Sequence, residues 1–161
     1  MKKIIATVII GLFVIVGSSY AKAGDFQAGG VFGAFNGEGI STTYGGPVIH
    51  YGITNELDIA GRYETGSYSG ATLTFLTVGL NYYFRSVTKA TRPYITLGAS
   101  QIWGNFIGGA DSMTGYFYGG GLNYRLTEQF LFNFDFRAHA GNYAGWELNA
   151  TTLSIGLMMD L

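Results

Sequence analysis

The sequence contains no cysteine and only two prolines, and charged residues fill 12% of its 161 positions, where a soluble domain averages about 25%. Without cysteine there can be no disulfide framework, so an exported chain must rest on strand pairing and packing. The shortage of charge excludes an ordinary water-facing surface, which is normally dense in Lys and Glu. After residue 23 no apolar run approaches the roughly 20 residues that a membrane-spanning helix requires. Setting aside Lys2, Lys3 and Lys22 leaves six basic residues against ten acidic ones, a balance that gives no reason to expect nucleic acid as a partner.

Glycine and aromatics are abundant, with 26 Gly and 16% Phe, Trp and Tyr. The chain opens with Met1-Lys2-Lys3, an apolar run from Ile4 to Val16, Gly17-Ser18-Ser19 and the small-residue pattern Ala21-Lys22-Ala23. This order of charge, apolar stretch and small residues predicts a secretory signal peptide cleaved after Ala23. Residues 24–161 are then one domain's worth of chain.

The clearest pattern lies between Phe130 and Ala140, where Phe130, Phe132, Phe134, Phe136 and Ala138 alternate with Leu131, Asn133, Asp135, Arg137 and His139. Period two is the signature of a strand with one apolar and one polar face. The same alternation recurs along the chain and predicts eight strands of about 10 to 13 residues. Gly-rich stretches at Gly37–Thr43, Gly66–Ala71, Gly104–Met113 and Gly141–Glu147 read as loops, and Pro47 reads as a bulge or strand end. Tight turns are expected at Thr54-Asn55-Glu56 and at Leu126-Thr127-Glu128-Gln129, and a basic turn at Arg85–Arg92. Tyr51–Leu57 and Tyr124–Phe130 echo one another, which points to repeated hairpin chemistry.

A soluble barrel also alternates, so the polar face decides between the two solvents. It collects Gln27, His50, Thr77, Asn81, Thr96, Ser100, Asn123, Asn133 and Ser154, uncharged groups unlike a soluble exterior. The expected fold is therefore all-β: an eight-stranded antiparallel up-and-down transmembrane β-barrel, apolar face to lipid, with backbone groups satisfied by closure. Tyr51, Tyr63, Tyr82, Phe84, Tyr116, Tyr124 and Phe130 fit interfacial aromatic girdles.

With the leader, Arg92-Pro93-Tyr94-Ile95 opening a strand, the run Gly119–Thr127 into a hairpin and an alternating C-terminal strand, the chain resembles the small eight-stranded outer-membrane barrels of Gram-negative bacteria. These include the OmpA transmembrane domain, the OmpX/Ail type and the opacity or neisserial surface type. The resemblance implies an outer-membrane location, contact with lipid and lipopolysaccharide, and delivery by the assembly machinery through the C-terminal strand. It also implies a monomer, with no cofactor. The last residue is Leu161, where such barrels usually end in an aromatic.

Asp58, Arg62 and Glu64 on one strand, Asp135, Arg137 and His139 on another, and Arg125 all have inward parity. Charges at membrane depth are costly and should pair. A regular hairpin about Thr127 and Glu128 would set Gly121 opposite Asp135 and Gly119 opposite Arg137, leaving room for the long polar side chains. The expected role is a structural envelope protein with a side-chain-filled lumen. By resemblance to OmpA, the alternative is a narrow gated pore for small ions or solutes. A small surface adhesin and a lipid A-modifying enzyme are further alternatives, although His139-Ala140-Gly141 lacks the serine expected beside a deacylase histidine. His50 and His139, without cysteine, do not suggest a metal site.

Overall fold

The computed structural model describes residues 23–37, 39–68, 71–84, 90–106, 109–143 and 146–161. The expected signal peptide, Ala23 apart, and residues 85–89 of the basic turn lie outside the described residues. Eight strands follow in order: β1 (Phe26–Gly37), β2 (Ile40–Gly52), β3 (Leu57–Tyr68), β4 (Ala71–Tyr83), β5 (Thr91–Phe106), β6 (Gly109–Arg125), β7 (Phe130–Tyr143) and β8 (Trp146–Asp160). Each pairs antiparallel with its sequence neighbour, and β8 returns to β1, so the sheet closes as a barrel. No helix among the described residues is long and apolar enough to cross a membrane.

Facing follows the period-two pattern. Phe134, Phe136, Leu153, Ile155 and Leu157 point outward and are 42–50% exposed. The nine uncharged polar residues assigned above to the inner face are each 5% exposed or less. Aromatics ring the turn end of the outer surface, with Phe26, Tyr51, Tyr82, Phe84, Tyr124 and Phe130 all exposed.

The strands run to 12–17 residues, longer than the 9–11 that cross a bilayer. In the Gly-rich stretches read as loops, the described residues other than Gly39 are strand instead, and only residues 38–39, 69–70, 107–108 and 144–145 separate the strands at the hairpin end. The reason is an exchange of polarity between the two faces, with inward and outward parity unchanged. Toward this end Thr43, Thr65, Thr72, Thr114 and Thr151 are exposed, while Phe35, Tyr44, Leu73, Phe75 and Ile102 are buried inside. Ladder pairing continues through it, as in Thr42 opposite Phe35 and Ser112 opposite Trp103.

Pro47 is neither a bulge nor a strand end. It lies mid-strand opposite Gly30, and the β2–β3 ladder omits only Gly46 and Pro47 before resuming in unchanged register at Val48 opposite Arg62. Proline has no N–H to donate. Beside it, Gly46 brings the backbone so close to β3 that a Cβ would collide with the Tyr63 carbonyl.

At the opposite end the connections are residues 53–56, 84–90 and 126–129. The sequence echo is a structural one. Thr54 Oγ1 accepts from the backbone N–H of Glu56 and Leu57, each at 3.1 Å, and Thr127 Oγ1 accepts from Gln129 and Phe130 at 3.2 and 3.1 Å.

Candidate functional site

The inward positions of β2–β8 bring most of the chain's chemistry into the lumen. Asp135 on β7 sits at its centre. Arg137, two residues along the same face, donates from Nε to Asp135 Oδ1 at 2.8 Å. Arg62 on β3 meets the same carboxylate, with Nη2 at 3.1 Å from Oδ2 and Nη1 at 3.4 Å from Oδ1. β3 and β7 are four places apart in a ring of eight, so this ion pair crosses the full width of the lumen. Arg62 Nη1 also reaches Ser154 Oγ on β8 at 3.3 Å and lies 3.8 Å from Glu64 Oε1. These groups are almost fully buried, where a carboxylate is tolerable only with such charge-assisted partners.

Glycine pairs shape the space around this tie. Gly121 lies opposite Asp135 and Gly119 opposite Arg137, the register expected from the hairpin. The room at Gly121 is taken by Tyr94, whose hydroxyl donates to Asp135 Oδ2 and would stand 2.5 Å from a Cβ placed there. Gly79 and Gly98, opposite one another on β4 and β5, accommodate the ring of Phe117. Arg137 rests on that ring at 4.5 Å, a cation–π contact.

Toward the turn end a second cluster forms about Asp58. Its Oδ2 accepts from Tyr83 Oη at 2.6 Å and lies 3.1 Å from His50 Nδ1. The Arg92 guanidinium covers the Tyr83 ring at 4.1 Å and donates to the Asn55 carbonyl. The two clusters are joined. Asn133 Nδ2 donates to Tyr94 Oη at 2.9 Å and to Asn123 Oδ1 at 2.7 Å, and Asn123 Nδ2 donates to Tyr83 Oη at 3.3 Å. One hydrogen-bonded chain thus ends on a carboxylate at each side, with donation running outward from Asn133. Asn81, opposite Asp58, has both ends of its buried amide unpaired among the described residues.

Of the residues singled out by sequence, the lumen brings Arg62, Glu64, Asp135 and Arg137 together, and places Asp58 in the second cluster. His139 Nε2 lies 3.1 Å from Thr152 Oγ1 and its ring packs near Phe117; its hydroxyl neighbour is a threonine, on β8. Arg125 lies at the turn end, where it lines a small cavity with Tyr83, Arg92 and Asn123. As the last residue of β6 it sits at the barrel mouth, pairing with Asp160 Oδ2 at 2.9 Å and the Glu128 carbonyl at 2.6 Å, separate from the Asp135 cluster. Sequence reasoning omitted Tyr83, Tyr94, Asn123 and Asn133 from the site. Their inward parity was readable, but which lumen side chains span from wall to wall was not. Among the described residues no group of three His, Asp or Glu side chains converges as a metal site.

Beyond Arg137 the lumen turns apolar. Phe35, Tyr44, Leu73, Phe75, Ile102 and Ala150 form one buried cluster with Ile40 and Met113 against it. Phe35 and Tyr44 flank Phe75 at ring distances of 5.3 and 6.1 Å.

No family model matches the chain, and no curated protein matches it. Solved structures do. The N-terminal barrel domain of Pseudomonas aeruginosa OprF aligns at 19% identity and TM-score 0.71, over 86% of this chain and 98% of that one. Neisserial surface protein A aligns at 16% and 0.66, over 85% and 96%. A de novo designed transmembrane barrel aligns at 16% and 0.59, over 89% and 100%. A designed protein among the matches shows that the likeness is one of architecture. The chain has the fold of the small eight-stranded outer-membrane barrels.

Proposed function

We propose that this protein is a monomeric outer-membrane barrel of a Gram-negative envelope, exported by residues 1–23, whose role is structural and whose lumen is closed. The observation that carries this reading is the Arg62–Asp135 pair, which ties diametrically opposite strands together across the lumen. The apolar cluster about Phe75 closes the hairpin end as well, as expected of a ring of eight strands, whose interior side chains can fill. The outer surface supports the location, because its apolar band and aromatic ring suit lipid, and the C-terminal strand keeps the alternation that the assembly machinery reads. Lipid and lipopolysaccharide are the partners this surface calls for.

A gated pore is the second reading, favoured by one detail: Arg62 stands between two acids, Asp135 at 3.1 Å and Glu64 at 3.8 Å, and a change of partner would loosen the tie. Single-channel recording of the refolded protein in planar bilayers separates the two. The structural reading expects silence from the wild type and from Arg137→Ala, since Phe35 and Phe75 still close the far end. Reproducible steps that grow in Arg137→Ala would establish the pore instead.

A further inference from the structure

Asp58, Asn81 and Thr96 stand side by side on the inner faces of β3, β4 and β5, each directly opposite the next. All three are buried, Asn81 completely. Four of their polar atoms nevertheless lack a partner among the described residues: Asp58 Oδ1, Asn81 Oδ1, Asn81 Nδ2 and Thr96 Oγ1. The other carboxylate oxygen of Asp58 is engaged by Tyr83 and His50. Asn133 makes the contrast, because its equally buried amide nitrogen donates to both Tyr94 and Asn123. Leaving such groups unbonded in a buried site is costly, so three neighbours in one row point to a shared occupant.

The row is bounded above and below by aromatic rings. On its turn side the preceding inner positions are Tyr83 and Tyr94, with ring centroids 5.3 Å apart. On its hairpin side the ring of Phe117 lies over Gly79 and Gly98. Beyond Thr96 the row continues to Gly119, which adds no side chain of its own.

The unpaired atoms select the chemistry of the occupant. Two are acceptors only, one is an amide nitrogen with two protons to donate, and one is a hydroxyl that does both. A metal ion would satisfy the oxygens and repel the amide protons, whereas an anion would satisfy those protons and repel Asp58. Charge leads to the same conclusion. The buried carboxylates Asp58, Glu64 and Asp135 are already matched by the buried guanidiniums of Arg62, Arg92 and Arg137, and one more net charge at this depth would stand uncompensated. The occupant must be neutral, small, and able both to donate and to accept.

We infer that the Asp58–Asn81–Thr96 row is a binding site for ordered water, about two molecules making about three hydrogen bonds each, which bridge Asp58 Oδ1 to Asn81 and Asn81 to Thr96. This goes beyond the closed lumen proposed above, because part of the filling is then solvent and not side chain.

The test is a crystal structure of the refolded wild type, resolved finely enough to show water, with a second crystal soaked in rubidium bromide. Density within hydrogen-bond distance of Asn81 Nδ2 and Asp58 Oδ1, without anomalous signal after the soak, is the expected result. An anomalous peak in the row would make the occupant an ion and overturn the assignment. So would a row without density, or one in which Asn81 turns to bond Asp58 or Thr96 directly. Stability gives an independent reading, with folding of each variant confirmed by the gel-mobility shift on heating. Asn81→Leu, which keeps the volume, should lower the urea midpoint because the bridging water loses its anchor, and Thr96→Val should lower it by less. In a dry row Asn81→Leu would instead raise the midpoint by removing an unpaired amide, and a raised or unchanged value would overturn the proposal.

Discussion

On the turn side of Asp135 the lumen is filled by Tyr83, Tyr94, Asn123, Asn133, His50 and Asp58, joined by directed hydrogen bonds. On the hairpin side the same inward parity carries Phe35, Tyr44, Leu73, Phe75 and Ile102. The walls are continuous between the two halves and the strands do not change register. What changes is the chemistry of the outer face. Where the outer face is apolar and suited to lipid, the inner face holds the polar residues. Where the strands exceed bilayer length, the outer face becomes threonine-rich and the hydrophobic residues move inward, as in a water-soluble barrel. The protein thus joins two packing regimes in one sheet, one held by pairing and the other by burial.

That contrast can be broken from either side. The largest effect should come from Asp135→Ala, which strands two buried arginines; removing one partner of a buried ion pair costs about 3–5 kcal/mol, read as a lowered urea midpoint for the refolded barrel. An unchanged midpoint would mean that water already screens the pair. Phe75→Ala should cost about 3 kcal/mol through the cavity it leaves in the apolar half, by the same measurement. The two halves being held by different forces, the double variant should lose the sum of the single losses to within about 0.5 kcal/mol; a larger coupling would show the halves to be one unit. Gly121→Ala should cost about 2 kcal/mol by overpacking, because its methyl group competes with Tyr94 for the space beside Asp135, and should weaken the near-ultraviolet circular dichroism of the buried tyrosines. The smallest effect belongs to the turns. Thr54→Ala and Thr127→Ala should each lose about 1 kcal/mol, the net worth of a hydrogen bond or so, and by nearly equal amounts if the two turns are truly alike.

The same contrast explains what could be read from sequence. Within the bilayer-length part of each strand the pattern from Phe130 to Ala138 is unambiguous, and its register set Gly121 against Asp135 correctly. The hairpin ends were misread as loops because Gly, Ser and Thr are turn-prone residues, while here they form the outer face of projecting strands. A single rule of apolar outward and polar inward cannot recognise Tyr44 or Phe75 as interior. The parity of Arg125 was readable but not its depth, since parity says nothing about how near a residue lies to the barrel mouth. Tyr94 appeared in the sequence only as part of a strand-opening motif, without its role, because its reach to Asp135 spans from β5 to β7 over a glycine of β6. Such a contact depends on tertiary curvature, which periodicity does not encode.

The seam between β1 and β8 has a consequence for how the barrel is completed. Gln27 donates to Asp160 at 2.7 Å, and the backbone N–H of Leu161 donates to Phe26 at 2.9 Å. These bonds join groups more than 130 residues apart, so the seam closes a loop that includes every other strand. Its entropy cost is met only when the rest of the sheet is in place. Until then β1 and β8 each present an open edge able to pair with another chain. Seam closure is therefore the step at which a partly formed sheet becomes either a sealed barrel or the seed of an aggregate, and Asp160, bonded to both Gln27 and Arg125, adds a side-chain tie to the β1–β8 ladder at its turn end.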